Sequence, residues 1–481
     1  MENELKKKTV SSLLWRFLER CGAQGVTFLV TIVLARLLAP EVYGLMALVT
    51  VFTAILQVFV DSGMGNALIQ KKDADDLDFS SVFFFNLVMC IVLYLLLFSC
   101  APFIATFYHN PELTSVIRVL GITLLIAGIK NVQQAYVSRT LQFKRFFFAT
   151  LGGTIGAAVI GISMAYMGFG IWALVAQSLF NAIIDTMVLW LTVRWRPKLQ
   201  FSFTRLKGLL RYGGKLLASA LLHTFYTNLR TLIIGKLYTS ADLAYYEKGQ
   251  SFPSLIVSNI NASIDSVLLP TMAGVQDSQE TVKAITRRAI VTSSYLMWPM
   301  MVGLAVVAKP LVVLLLTEKW LLAVPFLQIT CFTQGLEPLQ TANLNAIKAV
   351  GRSDIFLKLE IVKKTISIMI LLLAMRFGIV AIAVSGLIYS VIATMFNSAP
   401  NRKLLGYSYF EQVKDIFPCF ALALLMGAVI YPIALIPMPT ILTLLMQVVV
   451  GAVIYVGMSA ILKLEPFFYV INIFRQFKRK E

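Results

Sequence analysis

Apolar runs of about 20 residues recur about fourteen times along the chain, separated by short polar punctuation. A hydrocarbon core about 30 Å thick needs about 20 apolar residues per crossing helix. The runs fall near 12–38, 43–68, 80–105, 113–137, 146–167, 170–194, 209–237, 242–270, 285–316, 320–347, 355–376, 378–400, 414–436 and 439–462. This pattern predicts an all-α, polytopic membrane protein of about fourteen transmembrane helices. Pro299, Pro310, Pro325 and Pro338 interrupt the ninth and tenth runs, where neighbouring helices must satisfy the freed backbone groups.

Two internal matches give the pattern a higher order. TIVLARLLAPEVYGL (31–45) aligns without a gap on TLIIGKLYTSADLAY (231–245), and FGIWALV (169–175) aligns on FGIVAIA (377–383). They pair the first span with the seventh and the fifth with the eleventh. A repeat distance of six helices, an even number, gives a parallel repeat about an axis along the membrane normal. The expected organisation is two six-helix pseudo-symmetric halves, 1–200 and 201–405, and an additional helix pair with a basic cytoplasmic tail, 406–481.

Composition agrees: 58% of the 481 residues are hydrophobic and 14% charged, against about 25% charged in soluble chains. The net charge of +18 would suggest nucleic acid in a soluble protein. Here the cations are expected to mark cytoplasmic loops and meet anionic lipid headgroups, with no nucleic-acid partner. With the N-terminus inside, the cytoplasmic loops carry Lys71/Lys72, Arg139/Lys144/Arg145, Arg194 to Lys207, Lys283/Arg287/Arg288, Lys348/Arg352 and Arg402/Lys403. The opposite loops hold little beyond Arg36, Lys236, Lys319 and Arg376. Both termini are therefore expected in the cytoplasm. Lys6, Lys7 and Lys8 resemble a signal n-region, but Arg16, Glu19 and Arg20 follow and the run continues to Leu38, which reads as a retained first span. Five scattered cysteines and two histidines call for neither a disulfide frame nor a metal centre.

Several spans carry polar stripes at helical spacing. The first has Ser12, Arg16, Glu19, Arg20, Gln24, Thr27 and Thr31, and the seventh has Lys215, Ser219, His223, Tyr226, Thr227 and Arg230. The second has Thr50, Thr53, Gln57 and Asp61; the eighth has Glu247, Ser251, Ser254, Ser258 and Asp265. An ionised group in hydrocarbon costs about 2.5–3.5 kcal/mol on insertion scales, so such groups turn toward a cavity or a partner. Inward stripes on both halves would enclose a hydrated cavity. Ser and Thr also serve plain helix packing, and Arg16 could snorkel to the interface. Arg20, Arg230 and Lys248 are the candidate cavity cations; Lys130, Glu337, Glu360, Lys363 and Lys364 are further intramembrane groups. Asp61 and Asp265 suit either ion coupling or pairing with the cations, and His223 suits either packing or proton relay.

No GxxxxGK[ST], GxSxG or HExxH motif is present, and no long extramembrane loop exists to house a glycan-transferring site. Catalysis is not expected, and no cofactor is called for.

LARLLAPEVYG (34–44), DSGMGNALIQKK (61–72), GFGIWALVAQ (168–177) and IIGKLYTSADLAYYEKGQSFP (233–253) resemble the polysaccharide-exporter branch of the multidrug/oligosaccharidyl-lipid/polysaccharide exporter superfamily. The likeness is to O-antigen and exopolysaccharide flippases of the colanic-acid and teichuronic-acid type. It covers the first 270 residues well and the rest mainly in topology. Ala39 departs from the usual Thr or Ser, and Ala244 from the usual Gly. The resemblance implies a flippase in the bacterial plasma membrane that carries polyprenyl-diphosphate-linked oligosaccharide from the cytoplasmic to the outer leaflet, for surface polysaccharide biosynthesis. It also implies two halves that rock, and polysaccharide polymerase machinery as a further partner beside membrane lipids. Arg20, Arg230 and Lys248 would meet the diphosphate. Arg16, Glu19, Gln24, Thr27, Asp61, His223 and Asp265 would line the cavity or couple an ion. The alternatives are a cation-coupled multidrug exporter of the same superfamily and a peptidoglycan-precursor flippase; the basic excess within the spans favours an anionic substrate.

Overall fold

A computed structural model describes residues 22–61, 64–71, 73–140 and 144–478. Helices account for nearly all of them, and no strand occurs among the described residues. In chain order the helices are α1 (Gly22–Leu37), α2 (Pro40–Asp61), α3 (Met64–Gln70), α4 (Asp76–Phe107), α5 (Glu112–Leu120), α6 (Ile122–Arg139), α7 (Lys144–Tyr166) and α8 (Ile171–Thr192). There follow α9 (Phe203–Leu237), α10 (Ser240–Ala273), α11 (Gln279–Val306), α12 (Ala308–Leu316), α13 (Val324–Gly335) and α14 (Glu337–Ala349). The chain closes with α15 (Ser353–Ala374), α16 (Ile379–Leu404), α17 (Tyr409–Ile430), α18 (Thr440–Ile461) and α19 (Glu465–Lys478).

Each of the fourteen apolar runs coincides with one or more of these helices. Among the described residues, ten helical segments are long and apolar enough to cross a membrane. The other runs differ for identifiable reasons. The first is described only from Gly22. α9 and α15 carry charged side chains within their length, and α13 and α14 break at Leu336. The prolines of the ninth and tenth runs are mostly starts rather than kinks. Pro325 and Pro338 occupy the first turns of α13 and α14, where a missing N–H costs nothing. Pro299 lies inside α11, and Pro310 in the first turn of the short α12.

Both internal sequence matches have a local counterpart in the backbone. α1 and α2 are separated by Leu38–Ala39, and α9 and α10 by Tyr238–Thr239, a break displaced by 200 positions. α8 and α16 each start after a Phe-Gly pair whose glycine has positive φ, +56° at Gly170 and +98° at Gly378. L side chains rarely adopt that region, so glycine fits both positions.

The described residues form two compact units, one ending at Ala244 and one beginning at Tyr245, within the second turn of α10. In the first unit, α2 packs on α9. Gly235 of α9 permits the contact, since a Cβ there would overlap the Leu48 side chain of α2, while Gly44 of α2 lies against the Ser240 carbonyl at the start of α10. Leu45, Val49, Leu97, Ile117 and Val175 form one apolar cluster, and Phe79, Phe83, Leu189 and Trp195 a second. An ionic collar closes this second cluster. Asp75 caps α4, Lys71 pairs with the fully buried Asp78 at 2.6 Å, and Arg205 and Lys198 reach Asp75 and Asp76, each at 2.6 Å.

The core of the second unit gathers Ile290, Tyr295, Trp298, Leu339, Cys419 and Tyr455. Beside it, α14, α16 and α17 meet through a buried amide network. Asn343 donates to Gln412 at 2.7 Å, Asn401 donates to Asn343 at 2.6 Å, and the Ser398 hydroxyl donates to Gln412 at 3.0 Å. Polar groups buried among apolar helices must find such partners.

Candidate functional site

Ionisable and amide side chains enter the membrane-length helices of both units. In the first, Gln57 and Asp61 lie one turn apart at the end of α2, and the Gln57 amide donates to Asp61 at 3.1 Å. Asn131 on α6 donates to the same carboxylate oxygen at 3.4 Å and accepts from Asn86 on α4 at 3.4 Å. An amide relay thus leads from a buried position to a carboxylate that stays exposed. Lys130, the neighbour of Asn131, pairs with Asp185 of α8 at 2.8 Å.

Arg230 stands differently. It is half-buried on α9, and its Nε and Nη2 are buried without a hydrogen-bond partner among the described residues. A guanidinium carries five donors in a rigid fork that matches phosphate and carboxylate oxygens. Two donors withdrawn from solvent and unpaired make this cation an acceptor-seeking group. His223, about two turns earlier on α9, is exposed, and Thr227 between them spends its hydroxyl on the carbonyls of His223 and Thr224. Gln24 and Thr27 are exposed on α1.

In the second unit Lys248 is only 8% exposed, with its ammonium 5.6 Å from the centre of the fully buried Trp320 ring. That geometry is a cation–π contact, strengthened where water is excluded. Asp265 is exposed and accepts from Asn345 of α14 at 2.6 Å. Gln334 of α13 donates to Ser254 of α10 at 2.7 Å. On α15, Lys363 pairs with Glu360 at 2.6 Å and lies within electrostatic reach of Glu337.

Arg16, Glu19 and Arg20 lie outside the described residues. Of the other expected site residues, the structure joins Asp61 to an amide relay and Asp265 to Asn345, leaves Arg230 with unmet donors, and buries Lys248 on an indole. Sequence reasoning missed Asp185, Asn86, Asn131 and Asn345. Asp185 was the detectable one, the one charged residue of 171–192. The asparagines carry no charge and reveal themselves only through their partners.

The fold is shared with solved structures. A lipid II flippase MurJ in an inward closed conformation superposes with a TM-score of 0.75 at 13% identity, covering 94% of this chain and 98% of that one. A multidrug resistance MATE family transporter of the MOP superfamily, inward-facing, gives a TM-score of 0.61 at 16% identity over 79% of this chain and 94% of that one. Fold and intramembrane polar groups together define a multi-pass helical membrane protein with the architecture of that superfamily. Within this class the chain belongs to the polysaccharide biosynthesis protein family, whose pattern matches residues 33–325. Its relatives include the lipopolysaccharide biosynthesis protein WzxC of Escherichia coli K12, 24% identical over 87% of this chain and 86% of that protein. The succinoglycan biosynthesis transport protein ExoT of Rhizobium meliloti is 25% identical over 74% of this chain and 72% of its own length. The teichuronic acid biosynthesis protein TuaB of Bacillus subtilis is 25% identical over 63% of each chain.

Proposed function

We propose that this protein translocates polyprenyl-diphosphate-linked oligosaccharide units from the cytoplasmic to the outer leaflet of a bacterial plasma membrane, supplying surface polysaccharide synthesis. Family membership gives the biological setting, and the buried Arg230 donors, which have no partner among the described residues, carry the chemical argument. The diphosphate is the part of such a lipid most costly to desolvate, and charge-assisted hydrogen bonds from arginine and lysine offset that cost. Arg20, Arg230 and Lys248 are assigned to the headgroup, with Gln24, Thr27, Asp61, His223 and Asp265 as lining or coupling groups. Both termini face the cytoplasm, and polymerase machinery receives the translocated unit. No bond is made or broken. A membrane potential negative inside favours outward movement of an anionic headgroup by about 2.3 kcal/mol per charge per 100 mV.

The test uses a strain lacking this chain while glycan synthesis runs. Lipid-linked oligosaccharide should accumulate and surface polymer disappear. Wild type should restore both, whereas an equally expressed Arg230→Ala/Lys248→Ala variant should not. Unchanged lipid-linked pools and intact polymer, in a strain without a second flippase, would overturn the proposal.

A cation-coupled multidrug exporter is the second reading, favoured by the exposed Asp61 carboxylate on its amide relay. It predicts drug accumulation, rather than lipid-linked sugar accumulation, in the same strain.

A further inference from the structure

Past their connecting turn, α10 and α11 leave a groove of about 870 Å³ in the second unit, closed at one end by Tyr469 of α19. Near the turn Leu268 and Met272 pack into the core, and the inner face of α11 is filled by Ile290, Trp298 and Met301. A second face of α11, exposed at Arg288 and Leu296, borders the groove. Its groove positions, Ile285, Arg288, Ala289, Thr292, Ser293 and Leu296, repeat at helical spacing and face Ile260, Ile264 and Val267 of α10.

The polar side chains of these walls are mostly spent locally. Ser293 donates to the carbonyl of Ala289, Thr271 to that of Val267, and Asn259 to that of Leu255. The groove therefore presents an apolar surface with one charged group, Arg288. That guanidinium lies 4.9 Å from the centre of the Tyr469 ring and makes no ion pair within 4.0 Å among the described residues. Its neighbour Arg287 is neutralised by a bidentate pair with Asp415, both contacts at 2.8 Å. Glu465, at the start of α19, borders a smaller adjoining pocket with both arginines but pairs with neither at that distance.

Depth fixes what fits. α19 follows the membrane-length α18 after a short turn and carries Phe467 and Val470 against the core, as an interfacial amphipathic helix does. Tyr469 and the Arg288 beneath it then stand at headgroup level, where tyrosine and arginine are favoured. From Arg288 to Leu296 the groove wall descends about 12 Å along α11, most of one leaflet of a hydrocarbon core about 30 Å thick.

We propose that this groove is a binding site for an anionic phospholipid of the membrane. One acyl chain lies between α10 and α11, and the phosphate is held by Arg288 stacked on Tyr469. None of the groove's lining residues is a proposed headgroup cation, and the proposal holds whatever the protein transports.

Native mass spectrometry of the detergent-purified full chain, titrated with phosphatidylglycerol or phosphatidylcholine, tests it. Wild type should retain phosphatidylglycerol in preference to phosphatidylcholine. Arg288→Gln should weaken that binding about five- to tenfold, the worth of one arginine–phosphate contact near a membrane surface, and Arg288→Lys should recover part of it. Ala289→Phe, which fills the groove with the cation intact, should lower retention too; melting curves identify any variant that has lost its fold. Equal retention of the two lipids, or undiminished phosphatidylglycerol binding in Arg288→Gln, overturns the proposal. Displacement of phosphatidylglycerol by equimolar undecaprenyl phosphate also overturns it, by assigning the groove to a polyprenyl lipid instead.

Discussion

Lys130 and Asp185 are 22% and 14% exposed at 2.8 Å, within helices that cross the membrane. Separating them leaves one charge without compensation, and breaking a buried pair costs about 3–5 kcal/mol. Lys130→Met alone should therefore lower the melting temperature of the solubilised protein markedly. Lys130→Met/Asp185→Leu should recover most of the loss, because apolar replacement of both partners removes the desolvation cost as well. Equal melting of the single and double variants would refute a pairing role. Arg230 shows the opposite condition, since its Nε and Nη2 are buried without a hydrogen-bond partner among the described residues. Both cations were visible in the sequence as charges inside apolar runs. Only the fold distinguished the one that is paired from the one that has no ion pair among the described residues.

At the scale of elements, helix boundaries follow local chemistry. Asp75 and Asp78 form a reciprocal capping box at the start of α4, and Ser408 and Glu411 form another at α17. Gly170 and Gly378 supply the positive φ that precedes α8 and α16. The collar around Asp75 also sets an acid response. The hydrogen bond from Arg205, helped by the Asp78 backbone N–H, lowers the Asp75 carboxyl from 3.8 to about 2. A depressed carboxyl contributes stability above its unfolded value, and that contribution disappears as pH falls through the folded value. The melting-temperature difference between wild type and Arg205→Gln should thus be constant from pH 7 down to about pH 4 and shrink toward zero near pH 2. A difference that stays constant to pH 2 would mean that Arg205 acts through something other than this carboxyl.

For the whole molecule, the distribution of basic residues among the loops predicts orientation. Alkaline phosphatase fused after Gly351, beside Lys348 and Arg352, should be inactive in cells, and the same reporter fused after Phe377 should be active. The reverse pattern would invert the topology and place both termini outside. The matching helix breaks at 38–39 and 238–239 were legible in 31–45 and 231–245 because a membrane helix and its break are local events. The contact of α2 with α9 inside one compact unit was not legible, because it depends on which helix presents its side chain, here Leu48, to Gly235.

The sequence by itself determined the class of this protein. Apolar length against bilayer thickness dictates helices, charge asymmetry sets their expected orientation, and family motifs place the chain among polysaccharide biosynthesis proteins. These properties are written in composition and spacing. The tertiary structure decided which polar groups are satisfied. Asn131 could join Asp61 to Asn86, and Lys130 could find Asp185, only once separate helices had packed side by side. Hydrogen bonds and ion pairs act over a few ångströms, and the chain distance between such partners is tens of residues.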